Sequence, residues 1–145
     1  MANITDIADA VAAELNAGTF DMQFTAQRCL LPFLDVSELE TLHVSVVPSE
    51  TSMEFLARQA DLEQHTVDVA VQKKIDDLTD QTEIESLINL TKALAGYLRR
   101  RRLTSLPDAA CVKTKISPVY SYDHLVGSQC FTSVLSVTYK LAEVV

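Results

Sequence analysis

Between residues 65 and 73 a valine falls on every second position, and this alternation constrains the fold more than any other feature of the chain. Val67, Val69 and Val71 point one way, while Asp68, Ala70 and Gln72 point the other. The segment therefore predicts a strand with one covered face. Such a strand needs neighbours to satisfy its backbone and an apolar layer against its buried side. The layer is visible downstream, where Ile84, Leu87, Ile88, Thr91, Leu94, Ala95 and Leu98 form a stripe at helical spacing. Thr82 followed by Glu85 predicts a capping box at the start of that helix. A helix over residues 83–98 would be about 24 Å long, enough to cross a small sheet.

The rest of the chain reads in the same terms. A first helix is predicted over residues 4–16, with Asn3 as N-cap, Asp6 and Asp9 near its positive end and Gly18 as its stop. Residues 24–31 predict a strand ended by Pro32, and residues 42–47 a strand closed by Pro48. Residues 49–64 fit either a strand or a helix. The alternation of Met53, Phe55 and Ala57 favours a strand to residue 58, with a hairpin through residues 60–64. Residues 35–40 and 103–108 read as turns, and residues 120–128 as a polar loop. Strands are predicted over residues 109–116 and 130–141. The order is α-β-β-β-β-α-β-β. There is no βαβα alternation and no Gly-rich turn, so a doubly wound parallel sheet is not indicated. The predicted fold is α+β: one domain over residues 1–145, a mainly antiparallel sheet and two helices packed on one face. Val67, Val69, Val71, Leu87, Leu94, Leu135 and Val137 are the expected core.

Composition bounds the function classes. Hydrophobic residues make up 48% and charged residues 22%, which places the chain among globular proteins. The net charge of −8 argues against general nucleic-acid binding, which needs a cationic surface to displace counterions from phosphates. Cys29, Cys111 and Cys130 are odd in number and not closely spaced, so they read as free, buried thiols. The opening residues have no positive n-region, and no run reaches the roughly 18 apolar residues of a membrane span.

Each chemistry-bearing cluster in the chain also has a simple structural role. Asp123 and His124, with Ser121 or Ser128, have the residue types of a hydrolase triad. Adjacency does not create triad geometry, and a polar surface loop is the simpler reading. His43 and His65 fall on strands expected to be near neighbours, but two histidines make a weak metal signal. Asp76, Asp77, Asp80, Glu83 and Glu85 are dense but lack the spacing of a calcium loop. Arg99, Arg100, Arg101 and Arg102 form the sharpest charge feature. They suit a helix C-terminus, and they also suit a contact with an acidic neighbour or with nucleic acid. No catalytic, cofactor-binding or metal site is predicted, and the chain is not expected to be an enzyme.

Taken together, several segments resemble small proteins of tailed-phage and prophage morphogenesis clusters. They are ITDIADAVAAELNAGTF, ETLHVSVVPSE, HTVDVAVQKKI, EIESLINLTKALAGYLRRRRL and FTSVLSVTYKLAE. The order of elements resembles the tail terminator and tail-completion family. That resemblance implies a hexameric homo-oligomeric ring joining the tail tube to the neck, with no enzyme activity and no cofactor. It implies two protein partners, the tail tube protein and the neck or connector protein, and at most non-specific passage of DNA through the ring. It places the protein in the virion, at the tail and neck, assembled in the host cytoplasm and without a membrane. Arg99, Arg100, Arg101, Arg102, Asp76, Asp77, Asp80, Tyr120, Tyr122 and His124 are the expected interface residues. The alternatives are another neck, head–tail connector or tube-like protein, or a small ligand-binding domain or enzyme with an unrecognised site.

Overall fold

The valine alternation runs into a ladder much longer than predicted. The computed structural model describes residues 3–30, 40–57, 60–79, 81–99 and 101–144. Within them lie α1 (Ile4–Ala17), β1 (Ala26–Arg28), β2 (His43–Ala57), β3 (Ala60–Lys74), α2 (Gln81–Arg99), β4 (Ala110–Ile116), α3 (Tyr122–Ser128) and β5 (Cys130–Val144). The strands form one sheet in the order β1-β2-β3-β5-β4. β1 pairs parallel to β2, and every other pairing is antiparallel. The fold is α+β, as expected, but the sheet is mixed and the described residues contain three helices.

One face of the sheet carries the core. Register places Val46, Val69 and Leu135 in one row, and Val67 and Val137 in the next. Ile7, Val11 and Leu15 of α1 and Leu87, Leu94 and Leu98 of α2 join these residues in a single buried cluster. All seven residues expected in the core are fully buried there. α1 begins with the predicted cap: the Asn3 side chain accepts from the backbone of Thr5 and Asp6, and Asp6 returns a bond to Asn3 N. Gly18 ends the helix, though not through a left-handed turn, since its φ is −82°. A Cβ there would lie 2.9 Å from the rings of both Phe20 and Tyr97, so close approach requires the glycine.

Five expectations change. The strand over residues 24–31 is reduced to Ala26–Arg28. Asn16 explains its short start, because its amide bonds both Ala26 N and Ala26 O, and Phe24 packs on Phe20 instead of pairing. Pro48 does not close β2. It sits at a bulge, beyond the last partner that β1 offers at Val46, where a missing N–H costs little. The hairpin does not pass through residues 60–64, which are paired in β3; the β2–β3 ladder runs as far as Ala57 opposite Ala60. α2 begins at Gln81, so Thr82 lies inside the helix and not before it, and the preceding Asp80 lies outside the described residues. The polar loop over residues 120–128 contains α3, capped by Ser121 and ended by Gln129 at φ 50°. The observed order is thus α-β-β-β-α-β-α-β. Pro32 and most of the turn at 35–40 also lie outside the described residues.

Replacing Leu87 with Ala should lower unfolding stability by about 2–5 kcal/mol, because the side chain is wholly enclosed. Denaturant titration measures this. An unchanged midpoint would contradict the burial.

Candidate functional site

The arginine run is wired largely into its own molecule. Arg99 is the last residue of α2 and is exposed. Arg101 donates from Nε to Glu14 Oε2 at 3.1 Å, and its guanidinium lies 4.4 Å over the Tyr97 ring. Arg102 Nη1 donates to Pro107 O at 3.0 Å. Arg100 lies outside the described residues. Glu14 is the buried partner, only 4% exposed, and its other oxygen accepts from Thr104 N. Burial alone would raise its pKa. The Thr104 bonds and Arg101 outweigh that and hold the carboxyl below its ordinary value. The run thus ties the end of α2 and the following turn to α1.

The acids sit elsewhere. Asp77 accepts from Thr79 N at 2.9 Å and from Thr79 Oγ1 at 2.6 Å, bonds that lower its pKa. Asp76 is exposed beside it, and Asp80 lies outside the described residues. These acids precede α2 and the arginines follow it. The two clusters are therefore separated by a 19-residue helix about 28 Å long.

The remaining expected interface residues lie in α3 and just before it. Tyr120 is 41% exposed and Tyr122 69%, with Val119 and Val126 exposed nearby. His124 Nδ1 is 3.1 Å from Thr132 Oγ1, and Ser121 Oγ accepts from His124 N. Ser121 and His124 therefore secure α3 to β5 and to its own cap. His43 and His65 do lie on adjacent strands. Their register partners are Gln72 and Thr51, which places them far apart along the sheet.

The far end of the sheet falls on residues 49–64, where a strand to residue 58 was expected, together with contacts to other subunits or the tube, but not the pairing of residues 60–64 with it. Beyond Pro48, β2 and β3 continue as an arm that exposes Met53 and Phe55, each at 71%. A polar chain centred on the buried His65 anchors its base: Thr51 Oγ1 is 3.0 Å from His65 Nδ1, and His65 Nε2 is 2.9 Å from Glu63 Oε2. Hydroxyl, imidazole and carboxylate are the residue types of a nucleophile relay. Here the imidazole is enclosed, at 3% side-chain exposure, and it crosslinks β2 to β3. Cys111 offers no activated thiol, because burial raises its pKa more than the Lys113 contact and Arg99 lower it. Among the described residues, no group of three or more His, Cys, Asp or Glu could hold a metal ion. Among them too, no helix is long and apolar enough to cross a membrane.

Glu14 yields a pH-dependent prediction. A carboxyl with a lowered folded pKa stabilises the fold above its unfolded value, and that contribution fades as pH falls through the folded value. Glu14→Ala should cost about 1–3 kcal/mol at pH 7 and distinctly less near pH 3. Urea titrations of both proteins at the two pH values measure it. An equal loss at both would contradict the charged pairing.

No protein-family model matches the chain, and comparison with curated proteins gives no match.

Proposed function

We propose that this protein is a structural ring subunit of a tailed-phage virion, a tail terminator or tail-completion protein that joins the tail tube to the neck. One observation carries this reading. Among the described residues, β4 pairs only with β5, and β2 runs past its three pairings with β1 into an arm that exposes Met53 and Phe55. A monomer gains nothing from large exposed apolar side chains beside open strand edges, whereas an assembling subunit buries both. Side chains of catalytic residue types also support a structural role, because Ser121, His124 and His65 are each engaged in hydrogen bonds within the fold.

A subunit of this kind presents different surfaces above and below. Identical copies then meet head to tail, and such contacts close into a cyclic ring. The tube protein and the neck protein would bind the two ends, with DNA passing through the middle. The net charge of −8 suits passage, since an acidic ring does not grip phosphates.

Native mass measurement and negative-stain imaging of the purified chain test the reading together. A hexamer with a central opening is expected as concentration rises. A species that remains monomeric, or stops at a two-fold dimer, would contradict it.

A further inference from the structure

We infer that copies of this chain join edge to edge, the outer edge of the β2 arm of one copy pairing with the outer edge of β4 of the next. This deepens the ring reading above and rests on it. Three observations carry it.

The first is the state of the edges. Among the described residues, β1 pairs with β2 only at Val44–Val46, and β4 pairs only with β5. Two strand edges with unpaired backbone groups therefore stand at opposite sides of one sheet, and such edges bind another strand readily.

The second is charge. Glu50 and Glu54 lie on one face of the β2 arm, and Lys113 and Lys115 lie on the same face of β4. All four are exposed, and none forms an ion pair with another described residue. Joining two β2 edges would set Glu against Glu, and joining two β4 edges would set Lys against Lys. Only the unlike edges bring opposite charges together across the new pair. The charges thus select head-to-tail contact over a two-fold dimer.

The third is level. Glu50, Thr66, Thr138 and Lys113 are successive register partners across four strands. Glu50 and Lys113 consequently stand at the same height on the sheet, with Glu54 four residues further toward the arm tip and Lys115 two residues the other way. Copies joined there need little shift along the strands, which favours a closed ring over a climbing filament. A cleft lined by Arg99, Cys111, Val112, Lys113 and Thr114 opens beside β4. Thr51 of the incoming arm stands at the level of Cys111, beside that cleft.

Charge exchange in the full chain tests this. Glu50→Lys with Glu54→Lys, and separately Lys113→Glu with Lys115→Glu, should each raise the concentration needed for assembly by roughly ten- to a hundredfold. Mixed one to one, the two variants should co-assemble into alternating rings with an even number of copies. The fourfold exchange keeps the net charge of −8 and should assemble alone. Circular dichroism confirms folding of each variant. If a reversal does not fold, the Gln variants at the same positions should weaken assembly without rescue on mixing. Should the wild type form rings that both variants form equally well, or that mixing fails to restore, the edge pairing is wrong while the ring reading survives. A wild type that never assembles removes both.

Discussion

β3 is hydrogen-bonded on both sides over its whole length, to β2 and to β5. Each of these strands has 15 residues, which is about 50 Å of extended chain. The helix that crosses beside them is about 28 Å long, and a helix covers a stripe only about 10 Å wide. Two helices therefore cannot cover this sheet from end to end. The composition of β3 follows the boundary. Val67, Val69 and Val71 lie under the helices, while Asp61 and Glu63 continue the same face beyond them. At the border stands His65, buried and held by Thr51 and Glu63, where the core gives way to a polar arm. The uncovered part of the sheet, its open edges and its exposed Met53 and Phe55 all derive from that mismatch in length.

The covered part of the fold was legible in the sequence because burial writes itself as period. The valines of β3, the stripe of α2 and the Asn3 cap each express a local energetic preference, and each appears where expected. What was not legible depends on partners distant in the chain. Pro48 looks like a terminator until β1 is seen to stop at Val46, two positions earlier. β1 itself is short because Asn16, ten residues before Ala26, occupies its backbone groups. α3 has a good cap in Ser121 but only one buried apolar residue, Leu125, too little for a periodic signal. The candidate site divides in the same way. The arginine run was visible as charge, but its buried partner Glu14 lies 87 positions before Arg101 and carries no mark of that role. The edge charges at Glu50, Glu54, Lys113 and Lys115 were invisible, since only the register brings them onto one face.

The functional proposal follows from how the polar groups are spent. Buried ones are largely occupied within the fold: Glu14 by Arg101 and Thr104, His65 by Thr51 and Glu63, Thr132 by His124. The Tyr139 hydroxyl and Gln72 Oε1 are buried without a partner among the described residues. Glu50, Glu54, Lys113 and Lys115 stand exposed at the sheet edges without an ion-pair partner among the described residues. The proposed ring rests on the two unlike edges, acidic on the β2 arm and basic on β4.

Residue-resolved hydrogen exchange, compared between monomer and assembled protein, tests this account most directly. Backbone amides on the outer side of β4 and of the β2 arm should exchange quickly in the monomer and slowly in the assembly, while β3 stays protected in both. Assembled protein whose two edges exchange as fast as in the monomer would contradict the account.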